Sequence, residues 1–332
     1  MSRLLLSVVA IAVLSAGADG TATPRDLLPG QRPLLHAHNC YPEGEIGADR
    51  LDRALGVAVR PIAIEQDLVW AVDRRASVVS HGAPLTGAEP TLEAHFFDRL
   101  RPLVEQALRR GERSTWPLFI LHLDFKTNEP EHHRAIWDLL GRHEAWLTTA
   151  PRTADAVRAA PLTVGPVLVL TEQGAGQETL FHDAVPIGAR LRIFGTVLPL
   201  PRPEEATPEG RAKAAAAAPV ESLMPAPATN YRRWTNHSWA VIEAGGAPSA
   251  GRWTDADARR LRAVVTRAHA LQLFIRFYTL NGHGRDSSSG WNDGYNFGSE
   301  AAAAERWRAA IAAGVDFIAT DQYEALARLL RP

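Results

Sequence analysis

Three short apolar runs carry ionisable side chains two residues apart. "LLHAHN" holds His36 and His38, "IAIEQDLV" holds Glu65 and Asp67, and "LHLDFK" holds His122, Asp124 and Lys126. A fourth run, "FIATDQ", ends in Asp321. In an extended chain residues i and i+2 point to the same side, so each set shares a face. Glu65, Asp67 and Asp124 then bring three carboxylates together, and these repel one another unless positive charge lies between them. A hard divalent cation, Mg2+ or Ca2+, with oxygen ligands meets that need. Pairing with arginine is the plainer account of any single acid; a same-face pair plus a third acid favours the metal. His36 and His38 are either a metal pair or one working histidine and its neighbour.

Between these sets lies "LVWAVDRRASVVSHGAP". Val69–Val72 and Ala76–Ser80 flank the turn Asp73-Arg74-Arg75, which reads as a hairpin whose return arm delivers His81 beside the acids. Two histidines on either side of a metal-bound phosphate can serve as general base and general acid. Lys126 and Lys213 are the only lysines among 36 basic residues. A lysine next to Asp124 suits a phosphate site, where it offsets developing negative charge. Arg276, near the polar end of its own run, is either a phosphate contact or the partner of an acidic neighbour. Trp239 and Trp291 are candidate walls for the alcohol part of a substrate, with plain packing as the alternative for each.

Something must carry these groups to one place. Apolar runs at Leu34–His38, Ile62–Asp67, Phe119–Asp124, Val167–Thr171, Leu191–Thr196, Trp239–Ile242, Leu273–Tyr278 and Phe317–Thr320 read as strands. Helical patterns at Phe96–Arg110, Ala256–Leu271 and Ser299–Ala313 fill gaps between them, the last stopped by Gly314. Strands alternating with helices imply a parallel sheet, and eight such units over about 300 residues imply an α/β fold of the (β/α)8 barrel type with a β-hairpin after the second strand. The functional face of such a barrel lies at the C-terminal ends of its strands, where the acids cluster. Residues 201–229 are rich in Pro and Ala and read as a surface insertion. Residues 282–298 are a Gly/Ser/Asn loop, either a lid over the site or an excursion into solvent.

The 332 residues are 46% hydrophobic and 22% charged, with a net charge of −1. That balance gives no basic face for nucleic acid or a membrane surface. Arg3, the apolar run Leu4–Leu14 and Ala16-Gly17-Ala18 read as a signal peptide over residues 1–18, too short to span a bilayer. The expected mature chain, residues 19–332, is one domain that works outside the cytoplasm, secreted or periplasmic. The single cysteine, Cys40, rules out a disulfide framework.

With these residues in order, the sequence resembles the phospholipase C-like phosphodiesterase superfamily, which includes glycerophosphodiester phosphodiesterases and the sphingomyelinase D-type phospholipases. "LLHAHNCY" resembles the family's first-strand "AHRG" and, more closely, the "HSHNDY" form of one branch. "IAIEQDLVW" resembles the E-x-D metal strand, "VVSHGAPL" the hairpin histidine motif, and "LHLDFKT" the acidic-x-Lys strand. "AAGVDFIATDQYEAL" resembles the closing "GVDGIITD" segment. The resemblance implies a metal-dependent phosphodiesterase acting on a small-molecule or lipid phosphodiester. It implies His38 and His81 as the catalytic pair and Glu65, Asp67 and Asp124 as metal ligands, with His36 as either a support behind the site or a substrate contact and Asn39 as a substrate contact. Two departures stand out. Asn39-Cys40 replaces the Arg-Gly of the first motif, and Cys40 stands where the nearer branch has Asp. Two rivals remain. The H-x-H of strand one also opens the amidohydrolase metal site, but "VLVLTEQ" and "LRIFGTV" lack the histidines it needs. A non-catalytic ligand-binding barrel is the other.

Overall fold

The computed structural model describes residues 27–42, 47–57, 59–116, 118–201, 205, 207–285 and 292–331. The expected leader, residues 1–18, and Trp291 lie outside the described residues. No helix among the described residues is long and apolar enough to cross a membrane.

The strands are β1 (Leu34–Ala37), β2 (Ile62–Ala71), β3 (Ala76–Val79), β4 (Phe119–Phe125), β5 (Ala150–Pro151), β6 (Val167–Thr171), β7 (Arg190–Leu191), β8 (Gly195–Thr196), β9 (Arg232–Ser238), β10 (Phe274–Tyr278) and β11 (Phe317–Thr320). Eight of them run parallel in the order β6-β4-β2-β1-β11-β10-β9-β8. A parallel bridge from Leu170 to Phe194 joins the two outer strands, so the sheet closes into the expected (β/α)8 barrel. Runs such as "VLVLT" and "FIAT" are buried throughout, as strands covered on both faces must be. β3 returns antiparallel along the projecting end of β2, from Ala71↔Ala76 to Leu68↔Val79, which is the expected hairpin.

The helices are α1 (Arg50–Gly56), α2 (Asp98–Arg110), α3 (Pro130–Arg142), α4 (Pro208–Ala217), α5 (Val220–Leu223), α6 (Asp255–Ala270), α7 (Glu300–Ala313) and α8 (Tyr323–Leu330). Their ends follow local chemistry. Thr254 and Asp257 form a reciprocal capping box on α6. Ser299 caps α7, and Gly314 closes it at φ 80°, a left-handed position that suits glycine.

Two expectations need correction. The strand placed at Trp239–Ile242 is Arg232–Ser238; Ser238 Oγ accepts from Ala240 N, and Trp239–Val241 forms a 3-10 turn. The run Leu191–Thr196 divides. Leu191 pairs with Ala150 in a separate two-stranded ribbon, and only Gly195–Thr196 joins the barrel. A Cβ on Gly195 would stand 2.4 Å from the Tyr231 ring, so this approach needs glycine. Within residues 201–229 the described segment that holds α4 and α5 buries Ala215, Ala218, Leu223 and Met224 in the core.

The hairpin is tied to α3. Ser77 Oγ on β3 lies 2.8 Å from His132 Nε2, and His132 Nδ1 lies 3.1 Å from the Thr127 carbonyl. Burial pushes the His132 pKa down to about 4. Between that value and the unfolded imidazole near 6.5, the unfolded chain binds the extra proton, so acid lowers stability. His132 alone should lower the unfolding free energy by about 2 kcal/mol between pH 7 and pH 5. Urea unfolding at the two pH values checks this: His132→Gln should lose that much of the pH dependence, and an unchanged dependence refutes the assignment.

Candidate functional site

Parallel register brings the acids together. Across β2 and β4, Asp67 stands opposite Asp124 and Glu65 opposite His122. Glu65, Asp67 and Asp124 each present an oxygen, all within 4.8 Å of one another. It is the single cluster fit for a metal among the described residues, and it contains no histidine. Lys126 Nζ lies 2.6 Å from Asp124 Oδ2 and 3.0 Å from Asp67 Oδ2. Even so, burial and the carboxylates of Glu65 and Asp124 push Asp67 up to about 8. One ammonium therefore leaves the cluster short of positive charge. All the donors are carboxylate oxygens, so the residues present fit a hard cation such as Mg2+ or Ca2+.

His38 follows the last residue of β1. Its Nδ1 lies 2.8 Å from Asp321 Oδ1, and its Nε2 faces Glu65 Oε2 at 3.7 Å. Burial lowers its pKa, but Glu65 and Asp321 outweigh burial and raise it above the ordinary imidazole value. Asp321 is held in turn. Asn39 Nδ2 and Asn281 Nδ2 each donate to it at 3.1 Å. Asn39 adopts φ 50°, a left-handed conformation that Asn tolerates better than most residues. That turn aims the Asn39 N–H at Glu65 Oε2, 2.9 Å away. Asn39, expected as a substrate contact, is thus engaged with Asp321 and Glu65.

His81 approaches from the other side on the hairpin. Its Nε2 lies 3.9 Å from Asp67 Oδ2, and its ring stacks on Tyr41 with centroids 5.9 Å apart. The Ser80 N–H donates to the Asp67 carbonyl at 2.9 Å, which pins the return arm. Unlike His38, its side chain is 61% exposed, so it stands at the rim.

Other expected contacts lie elsewhere. His36 sits one layer deeper than His38, 1% exposed, with Nδ1 accepting from Arg276 Nε at 2.8 Å. Burial and then Arg276 hold its pKa well below the ordinary value. Arg276 occupies Nδ1 and leaves Nε2 without a partner, but His36 is buried and no metal-fit cluster among the described residues contains it, so it stands behind the acids as a support for Arg276. Arg276 is itself buried. It donates to Glu65 Oε1 at 2.7 Å, to His36, and to Asn236 Oδ1 at 3.1 Å. It therefore positions Glu65 from behind. Trp239 is fully buried, donates to Glu243 Oε1 at 2.9 Å and stacks on Trp253, so it cannot wall a substrate.

The sequence places Asp321 at a strand end but carries no sign of its bond to His38. Nor does it mark Tyr278 and Tyr295, whose rings lie 6.5 and 6.0 Å from that of His38. Tyr278 lay at the end of an expected strand; Tyr295 sits in the Gly/Ser/Asn loop with no periodic signal. Residues 292–298 of that loop fold back onto the barrel through an Asn281–Asn296 bridge, while 286–291 lie outside the described residues.

Two solved structures from Parabacteroides distasonis ATCC 8503 resemble the chain. One is a glycerophosphoryl diester phosphodiesterase, at TM-score 0.41 and 14% identity over 90% of this chain and 85% of that one. The other is a glycerophosphodiester phosphodiesterase, at TM-score 0.43 and 14% identity over 90% and 96%. A Plasmodium falciparum HPPK-DHPS structure aligns at TM-score 0.41 and 9% identity, over 90% of this chain and 46% of that one. No family model matches the sequence, and no curated protein does. At that distance, function has to be read from the side chains themselves.

The two acids of β2 and β4 should separate experimentally. Glu65→Gln leaves the buried Arg276 guanidinium without its counter-charge and should cost about 3 kcal/mol of stability. Asp124→Asn, at the quarter-exposed end of the cluster, should cost about 1 kcal/mol or less while weakening Mg2+ or Ca2+ binding. Urea denaturation and cation titration calorimetry read the two effects, and equal stability losses would contradict the layering.

Proposed function

We propose that the protein is a divalent-cation-dependent phosphodiesterase acting on a glycerophosphodiester or phospholipid-type substrate. The observation that carries this reading is the three-carboxylate cluster, its oxygens within 4.8 Å of one another, with an imidazole on either side. A Mg2+ or Ca2+ held by Glu65, Asp67 and Asp124 would supply charge neutralisation at the phosphoryl oxygens.

The chain's own groups do the rest. Asp321 holds His38 by Nδ1, so Nε2 is the nitrogen left to exchange a proton. His38 takes the proton from the attacking water or substrate hydroxyl; Asp321 stabilises the imidazolium so formed. His81, at the rim, gives its proton to the departing alcohol. The two roles reverse without any change in geometry, since each histidine presents one nitrogen to the cluster. Lys126 offsets charge that develops on the phosphoryl group. Tyr278 and Tyr295 flank His38 and bound the space for the alcohol portion. With residues 1–18 as an export leader, this chemistry runs outside the cytoplasm.

Glycerophosphocholine and lysophosphatidylcholine, assayed with and without EDTA, test the reading. Chelation should abolish turnover, and added Mg2+ or Ca2+ should restore it. His81→Ala should lower kcat by roughly a hundredfold or more with no shift in the urea midpoint, because a positioned acid contributes about that much and the side chain is exposed. Turnover that survives EDTA, or a fully active His81→Ala variant, would sink the proposal.

A further inference from the structure

The opposite end of the barrel holds a second cavity, of about 460 Å³. It lies where strands begin: at Leu27–Gln31 before β1, at residues 159–162 before β6, and at Arg233 and Phe274 at the starts of β9 and β10. Its walls are mostly apolar, from Leu27, Pro29, Pro161, Leu162 and Phe274. One charge lines it. Arg233 is 9% exposed and donates Nη2 to the Ala160 carbonyl at 2.7 Å. Among the described residues its sealed Nε has no hydrogen-bond partner and no carboxylate pairs with it, while the Phe194 ring centroid lies 5.6 Å from Cζ. His269 also lines the cavity, but its Nε2 is 3.0 Å from Asp316 Oδ2. Both Asp316 oxygens are committed, to His269 and to the N–H groups of Gly30 and Ile275.

A buried guanidinium without a counter-ion is unfavourable, because burial removes its hydration and the Phe194 face and one carbonyl return only part of the charge interaction. Burial alone brings Arg233 down to about 10, so it stays protonated at neutral pH. A carboxylate is the natural complement: planar, singly charged, and matched to the outer Nη edge of the guanidinium, since Nε is sealed from the cavity. No lysine or second arginine, which a phosphate dianion would favour, lines the cavity among the described residues. The remaining wall is shaped for an apolar chain.

We propose that this cavity binds a monocarboxylate with a medium-length apolar chain, its head on Arg233 and its chain against Leu27, Leu162 and Phe274. The site is separate from the acidic mouth and does not depend on what the mouth does.

Octanoate titrated calorimetrically into the whole protein tests this. It should bind once, saturably, with a Kd of about 1 mM or tighter, and raise the melting temperature. Arg233→Gln should weaken octanoate at least tenfold, Arg233→Lys less, and Mg2+ or Ca2+ titration at the mouth should be unchanged in both. Octanol, with the chain but not the charge, should bind at least tenfold more weakly than octanoate. Without octanoate, Arg233→Gln should change the melting temperature little, so weaker binding in that variant reports the lost guanidinium and not unfolding. No saturation at ten times the expected Kd, or equal octanoate binding by the parent and Arg233→Gln, overturns the proposal. Inorganic phosphate that competes fully with octanoate overturns the monocarboxylate assignment.

Discussion

A carboxylate and a guanidinium 2.7 Å apart inside the barrel, Glu65 Oε1 and Arg276 Nη2, hold the rest of the site in place. Both residues are almost wholly buried. Two charges removed from water are tolerated only when their geometry is good and their remaining hydrogen-bonding capacity is used. Here it is. Glu65 Oε2 takes the Asn39 N–H, while Arg276 also reaches His36 and Asn236. Asn236 Nδ2 donates to Glu172 Oε1 at 2.6 Å, and His122 stands between Glu172 and Glu65 at 3.4 and 3.2 Å. The network links β1, β2, β4, β9, β10 and the residue after β6. Burial raises the Glu65 pKa, but Arg276 and His38 outweigh it and keep the carboxylate ionised well below the usual range.

That polar tier separates two regions with different jobs. Beneath it the barrel is apolar, with Leu34, Phe274 and Phe317 packed together. Above it lie the groups that can meet a ligand: Asp67, Asp124, Lys126, His38 and, at the rim, His81. The tier turns a flexible acid into a fixed one. Glu65 cannot rotate toward solvent without leaving Arg276 unpaired, so its second oxygen stays beside His38. On the far side the hairpin does the equivalent work for His81, with Ser80 N–H on the Asp67 carbonyl and Ser77 on His132.

Alternation made the upper tier legible in the sequence. A strand buried on both faces is otherwise apolar, so Glu65, Asp67 and Asp124 stood out, and their shared face followed from a period of two. Depth did not follow. His36 and His38 share a face, yet one is sealed under Arg276 and the other opens on the mouth. A two-residue step sets orientation, while neighbouring strands decide which layer each side chain joins. β9 was hidden for a related reason. "RRWTNHS" reads as polar, because Arg232, Arg233 and Asn236 find partners at Glu178, Ala160 and Glu172, far away in sequence. The apolar "WAVI" that follows drew the expected strand instead, and with it the expectation that Trp239 faced a ligand.

The choice of lysine at position 126 follows from the charge balance at the mouth. In this sequence nearly every other cation is arginine, and an arginine here would grip two carboxylates with a rigid fork. Lys126 Nζ already touches the same Asp67 and Asp124 oxygens that a divalent cation would use. A compact ammonium on a flexible stem can hold the acids together in one state and turn to an incoming anion in another. A guanidinium, planar and bidentate, would compete with the cation for both carboxylates at once. The raised Asp67 pKa points the same way. The ammonium alone under-compensates the cluster, and the charge balance leaves a place for a second positive charge beside it.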